Sequence, residues 1–190
     1  MDVVLASASP RRLALLKQVG ITASVHPASF AEEAGSADAA HEVVLHNALG
    51  KCRAVAAEVG DSVPVIAADT VVVVDEVILG KPADAQEAAA MLARLSGRTH
   101  QVLTGVAVKF AGKELAQVCA TKVFFRELTQ GEIAAYVGSG EPLDKAGAYG
   151  IQGKGALLVE KIEGCYNNVV GLPLTMLYSM LKEIGASMTR

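Results

Sequence analysis

Residues 5–14 read LASASPRRLA and set two arginines on the opening turn of a helix that follows a short apolar strand. Ser9 is a good helix N-cap, and Pro10 suits the first helical position because the N–H it lacks would go unbonded there. The free amides and positive dipole end of such a helix attract anions, and Arg11 and Arg12 add fork-shaped donors that match phosphate oxygens. An anion with several phosphate oxygens suits this end best. A capped surface helix with two solvated arginines has the same local pattern, so the other candidate groups decide between the two readings.

Asp69 lies in VIAADTVVVV, a run of alanine and β-branched residues that reads as buried strand. A carboxylate there costs free energy unless it is paired or coordinated, so a cation beside it is implied. Lys51, on the preceding helix, and Lys81, between Gly80 and Pro82, are point charges suited to phosphate oxygens. Glu32 and Glu33 form an adjacent carboxylate pair that could join Asp69 around magnesium, which needs only one or two protein carboxylates when substrate phosphates supply further oxygens. The four histidines show neither H-x-x-x-H nor H-x-E spacing, which argues against a histidine-bound metal. No G-x-x-x-x-G-K-[ST] motif or strand-coupled G-x-G-x-x-G occurs, so any phosphate site is not a P-loop or a dinucleotide fold.

These groups must be positioned by alternating elements. A strand at residues 3–6 leads to the arginine helix, which stops at Gly20; residues 24–33 read as extended, and 37–59 as a long helix stopped by Gly60. Residues 71–74 and 77–79 flank Asp75-Glu76 as a hairpin, and Asp84 with Glu87 forms an Asp version of the capping box. Residues 101–110 and 114–125 form a second hairpin, and Thr129 with Glu132 opens another helix. Residues 138–155 are glycine-dense and too long for a simple connector, which marks a functional loop; there Gln152 could read a base edge and Tyr149 could pack on the base. A strand at 157–162, a loop at 164–171 and a helix from Pro173 close the chain. Helices alternating with strands, with hairpins in the middle, predict an α/β fold with a mixed sheet and two lobes around a groove.

With 190 residues, 52% of them apolar and 19% charged, the chain can bury a core as one domain over residues 1–190 made of two lobes. Three cysteines in no C-x-x-C pair indicate neither a disulfide framework nor a zinc site. A net charge of −3 gives no diffuse basic field, which argues against a nucleic acid polymer as partner. No apolar run is long enough for a membrane span, and Met1-Asp2 ahead of a strand does not resemble a signal peptide, so a cytoplasmic location without membrane contact is expected.

Six separated blocks resemble the Maf family of nucleotide pyrophosphatases: SASPRR at 7–12, AADTVV at 67–72, LGKP at 79–82, SGRTHQVLTG at 96–105, GEPLDKAGAYGIQG at 140–153 and NVVGLPL at 168–174. They stand in the family's order and span nearly the whole chain. The resemblance implies an α/β fold with a mixed twisted sheet, flanking helices and two lobes around a central cleft, related to the inosine triphosphate pyrophosphatases. It also implies a homodimer and hydrolysis of a nucleoside triphosphate to monophosphate and pyrophosphate with a divalent metal cation, Mg²⁺ or Mn²⁺. KAGAYGIQG at 145–153 resembles the dTTP/UTP pyrophosphatase subgroup rather than the one preferring 7-methyl-GTP. Carried over by position, the resemblance makes Asp69 the proton acceptor and sets Ser7, Arg12, Lys51 and Lys81 around the triphosphate. It gives Arg11, Thr70 and Gln152 to base specificity, and leaves Asp69, Glu32 and Glu33 as metal candidates. The family has also been linked to septum formation, which a nucleotide-binding regulator could serve. Asp69 together with Lys81 and both arginines favours an enzyme, because a pure binder has no use for a buried general base.

Overall fold

The computed structural model describes residues 1–186. Seven strands form one mixed sheet: β1 (Asp2–Leu5), β2 (Thr22–Val25), β3 (Val65–Val74), β4 (Val77–Leu79), β5 (Thr99–Phe110), β6 (Lys113–Phe125) and β7 (Val159–Glu163). The order across the sheet is β2-β1-β3-β5-β6-β7, with β4 also on β3. β1 runs parallel to β2 and β3, and the remaining pairings are antiparallel. The helices are α1 (Pro10–Gln18), α2 (Ala40–Val59), α3 (Ala85–Leu95), α4 (Gln130–Gly138), α5 (Tyr166–Val170) and α6 (Leu174–Glu183).

The length of β3 creates the feature that matters for the site. Its first residues pair with β1 up to Leu5↔Ile66, and its last pair with β4 from Val72↔Leu79, both on the same edge because β5 occupies the other. Residues 67–71 therefore have a strand neighbour on one side only. Ligands of open α/β sheets bind in such breaks, beyond the carboxyl end of a strand. Strand alternation then sorts the side chains. Val65, Ala67 and Val71 pack in the clusters with α2 residues such as Val44 and Cys52. Ile66 and Ala68 join Leu16, Leu177 and Met180 of α1 and α6, while Val72 and Val74 join Leu92 and Ile133 of α3 and α4. The cores on that face lie at two ends of the sheet, and the break in the edge falls between them.

Local signals explain most boundaries. Thr129 and Glu132 close a full capping box, the Thr129 side chain accepting from the Glu132 N–H and Glu132 accepting from the Thr129 N–H at 2.8 Å. Asp84 accepts from the Glu87 N–H at 2.8 Å, but Glu87 turns back to the Ala83 N–H at 2.6 Å, one residue early. The hairpin at Asp75-Glu76 holds both residues at positive φ, 46° and 60°, the mirror-type turn that strand twist favours even without glycine.

Four expectations are corrected. The extended segment ends at Val25, and residues 26–36 instead fold back along α2, where the Phe30 ring fills the notch left by Gly50. The helix expected from residue 37 opens with one tight 3₁₀ turn, Ala37–Ala39, before becoming α-helical. The segment expected as a loop at 164–171 contains α5. Its Asn168 is fully buried, with Nδ2 donating to the Val102 carbonyl and to Thr121 Oγ1, so tertiary bonds outweigh the weak helix propensity of Asn-Asn-Val-Val. Tyr149 is not free to stack on a base: it is buried, edge-on to Phe125 and His100, with its hydroxyl 2.7 Å from His100 Nε2.

That aromatic cluster carries a pH prediction. Burial pulls the His100 pKa down from 6.5 to about 4. Between those values the unfolded chain binds a proton that the folded chain does not, so stability is complete above pH 6.5 and falls as pH drops toward 4. At about 1.4 kcal/mol per unit, the loss is on the order of 3 kcal/mol. Urea midpoints at pH 7 and pH 4.5 measure it, and His100→Gln should flatten the difference; an equal drop in both proteins would assign it to other groups.

Candidate active site

Asp69 faces α2 from the stretch of β3 that has a strand neighbour on one edge only. Its Oδ1 accepts from Lys51 Nζ at 2.7 Å and its Oδ2 from Asn47 Nδ2 at 3.0 Å. The cation that a carboxylate in this strand implied is thus the chain's own Lys51. Lys51 Nζ also lies 2.5 Å from Glu32 Oε1, so it is held between two carboxylates.

Asn47 is the residue that motif reading missed. It sits four before Lys51, on the buried face of α2, and is 2% exposed. Its Oδ1 accepts from the Glu33 N–H at 2.8 Å, while Nδ2 also donates to the Glu33 carbonyl at 3.1 Å. One amide therefore fastens the acidic loop to Asp69. Two polar residues at i, i+4 on a stripe otherwise made of Ala, Val and one Cys are the signal that could have found it.

Thr70, next along β3, projects to the opposite face, where it meets Arg12. The Arg12 guanidinium donates through Nη2 to Thr70 Oγ1 (3.0 Å), through Nη1 to Ser7 Oγ (2.9 Å) and through Nε to the Gly171 carbonyl (2.8 Å). Among the described residues three of its five N–H groups are used, and two remain for a ligand. Burial lowers the Arg12 pKa from its ordinary value, against the opposing pull of Asp69. Thr70 is in turn held by Thr104 Oγ1 at 2.9 Å, so its hydroxyl is committed to orienting the arginine. Ser9 occupies the N-cap position of α1, but its side chain makes no capping bond; its N–H donates to Ser7 Oγ at 3.2 Å. The first-turn amides of α1 are consequently left uncapped and face the same space.

Arg11 reaches across to the glycine-dense segment and donates to Asp144 Oδ2 at 2.5 Å. Burial would raise the Asp144 carboxyl, but Lys145 and Arg11 together hold it below the usual range. Residues 138–155 are organised as three short 3₁₀ turns, and the Gly147 N–H donates to the Gly80 carbonyl at 2.9 Å, which ties this segment to the turn carrying Lys81. Lys81 and Gln152 are both exposed, and neither makes a side-chain hydrogen bond among the described residues.

All ten expected site residues, Asn47 included as an eleventh, line one cleft of about 900 Å³. That volume is in the range of small-molecule sites. The two adjacent glutamates are not equivalent: Glu32 points at Lys51 and Asp69, while Glu33 turns its carboxylate to His46 Nε2, 3.3 Å away, and offers Asn47 only its backbone. Among the described residues no group of three His, Cys, Asp or Glu side chains assembles. Asp69 and Glu32 both approach one ammonium, however, so their oxygens converge on one point. A pair of this kind fits magnesium or manganese only when substrate oxygens complete the set.

Two solved structures share this architecture. The Ham1 protein of Staphylococcus aureus aligns with a TM-score of 0.55 at 15% identity, covering 97% of this chain and 100% of that one. A nucleoside-triphosphatase / dITP/XTP pyrophosphatase from Mycobacterium abscessus aligns at 0.50 and 18%, covering 100% of both. The fold class is thus α/β, a mixed sheet with flanking helices and a cleft at its broken edge. A family model described as Maf-like protein matches residues 2–184, and the chain belongs to the Maf-like protein family. It is 51% identical over 184 residues to the dTTP/UTP pyrophosphatase of Symbiobacterium thermophilum, covering 97% of this chain and 94% of that protein. It is 48% identical over 190 residues to that of Dictyoglomus thermophilum, covering 98% of each. With that of Escherichia coli O157:H7 the identity is 47% over 185 residues, 97% of this chain and 94% of the other. Among the described residues no helix is long and apolar enough to cross a membrane.

Proposed function

We propose that this cleft hydrolyses dTTP and UTP to the monophosphate and pyrophosphate. The observation that carries the reading is Asp69, a carboxylate on a stretch of strand with a neighbour on one edge only, held at both oxygens by Lys51 and Asn47 and set beside an arginine-bearing helix N-terminus in one cleft. The full-length similarity to relatives named dTTP/UTP pyrophosphatases supplies the substrate class.

Asp69 accepts the proton of a water molecule as that water attacks the α-phosphorus. A phosphorus–oxygen bond forms to the water oxygen, the bond from the α-phosphorus to the bridging oxygen breaks, and pyrophosphate leaves. Charge growing on the leaving group is met by Arg11, by the two unused N–H groups of Arg12 and by the first-turn amides of α1. Lys81, exposed at the cleft and without a partner among the described residues, takes remaining phosphate oxygens, and Ser7 and Thr70 keep Arg12 aimed. Arg11 serves the phosphates with the N–H groups that Asp144 does not take, or by exchanging that anion for another. Asp69 and Glu32 would hold a divalent cation, with Glu32 favoured over Glu33 because Glu33 is turned to His46. Such an ion, when bound, supplies charge neutralisation at the phosphates and a lower pKa for bound water. Gln152, exposed and with no side-chain hydrogen bond among the described residues, offers a donor and an acceptor to the uracil or thymine edge.

Pyrophosphate release from dTTP, UTP, CTP, GTP and 7-methyl-GTP, each with magnesium or manganese, tests the reading. Selective turnover of dTTP and UTP is expected. Preference for 7-methyl-GTP would overturn the substrate class, and binding without turnover of any nucleotide would overturn hydrolysis in favour of a regulator.

A further inference from the structure

The Gln152 side chain makes no hydrogen bond among the described residues, and it sits among Gly150, Gly153 and Gly155, residues that give the backbone the widest conformational freedom. A base-reading amide on such a segment needs its order from elsewhere. One carboxylate is the source. Glu141 Oε1 accepts from Tyr136 Oη at 2.9 Å and from the Gly155 N–H at 3.1 Å, and its Oε2 accepts from the Lys154 N–H at 3.1 Å. Tyr136 Oη in turn accepts from the Gly150 N–H at 3.2 Å. Both ends of the 150–155 segment are thereby tied to the same side chain, one directly and one through a buried hydroxyl, with Gln152 between them.

The fit is close. Gly155 packs so tightly that a Cβ there would lie 2.0 Å from the Gly150 carbonyl, and one on Gly153, at φ +63°, would lie 2.8 Å from Glu141 Oε2. Three donors converge on two oxygens that only accept, the arrangement a carboxylate satisfies and an amide cannot. Burial would raise the Glu141 carboxyl, yet the amide bonds from Gly155 and Lys154, the Tyr136 hydroxyl and the Lys145 charge together hold it below the usual range, so these donors favour its ionised form. Glu141 itself is anchored by Lys145 Nζ, which donates to its carbonyl at 2.5 Å.

We infer that Glu141 is a positioning residue for base selection: it touches no substrate but clamps the segment that presents Gln152 to the cleft. This rests on the proposed reading in which Gln152 meets the pyrimidine edge. Glu141→Gln keeps size and shape while turning an amide NH₂ toward a backbone N–H, which loosens one end of the clamp.

Pyrophosphate release gives the discriminating measurement, as the ratio of kcat/KM for dTTP and UTP to that for CTP and GTP. Glu141→Gln is expected to lower this ratio roughly tenfold or more, with the loss concentrated in KM for the pyrimidine substrates. Tyr136→Phe, which removes the hydroxyl joining Gly150 to Glu141 and keeps the ring in the core, is expected to lower it less and in the same direction. Gln152→Ala should lower it at least as far, and adding Glu141→Gln to Gln152→Ala should change it no further, because the clamp acts through Gln152. A Gln152→Ala protein with unaltered preference would overturn the reading of Gln152 itself. A Gln152→Ala protein that loses preference while a folded Glu141→Gln protein retains it would overturn the clamp alone. If Glu141→Gln fails to fold, Tyr136→Phe decides, and an unchanged ratio there overturns the clamp.

Discussion

Asp69→Asn is expected to lower pyrophosphate release by roughly 10²–10⁴-fold while nucleotide binding persists. The substitution removes the proton acceptor and little volume. Its oxygen can still accept from Lys51 Nζ, now 2.7 Å from Oδ1, and Lys51 keeps Glu32 as a second partner, so no cation is left stranded. The new NH₂, however, faces Asn47 Nδ2, which already donates at 3.0 Å to Oδ2. Asn47 cannot simply flip, because its oxygen is engaged by the Glu33 N–H and its NH₂ by the Glu33 carbonyl. A modest destabilisation of about 1 kcal/mol should therefore accompany the loss of turnover. Titration calorimetry with dTTP alongside turnover separates the two effects. Near-normal turnover in the Asn protein would remove Asp69 from the chemistry.

Gly105→Ala is expected to damage stability and activity together, through a residue that touches neither charge nor ligand. Gly105 lies on β5 directly opposite Asp69 in the register. A Cβ there would come within 2.2 Å of the Val44 carbonyl oxygen and 2.5 Å of its carbon, backbone atoms of α2 that cannot swing aside like a side-chain tip. The bare Cα is what lets α2 settle onto the sheet at this point, and α2 carries Asn47 and Lys51 one and two turns further on. Adding the methyl must push the helix off β5, at a cost of about 3 kcal/mol for overpacking against main chain. The same displacement pulls both partners from Asp69. Urea denaturation should show a lower midpoint, and turnover should fall even at temperatures where the variant stays folded. An Ala protein with the parent's midpoint and rate would mean that α2 adjusts freely and does not set the geometry of Asp69.

The contrast between these two substitutions separates what was legible in the chain from what was not. Asp69 stands out in the sequence because a carboxylate among valines contradicts its surroundings, whereas Gly105 is one glycine among 18. The Pro10 start of α1, the full length of β3, the Asp75-Glu76 hairpin and the Thr129–Glu132 capping box are also readable, since each depends on residues within a few positions of one another. The motif blocks likewise mark part of the cleft lining, although Glu32, Asn47 and Lys51 lie outside them. No local signal states that Arg12 will lean on Gly171, 159 residues away, or that Asn47 will bridge Glu33 to Asp69 across 14 and 22 residues. The choice between two adjacent glutamates, the burial of Tyr149 against His100 and the helical form of residues 166–170 likewise depend on which surfaces meet. The sequence by itself determined most of the elements, the Thr129–Glu132 cap and the inventory of charged groups, because propensity and capping act through near neighbours. Only the tertiary structure decided that one edge of β3 would be left open at Asp69, with α2 on one face and Arg12 on the other, because packing between distant segments alone sets those distances.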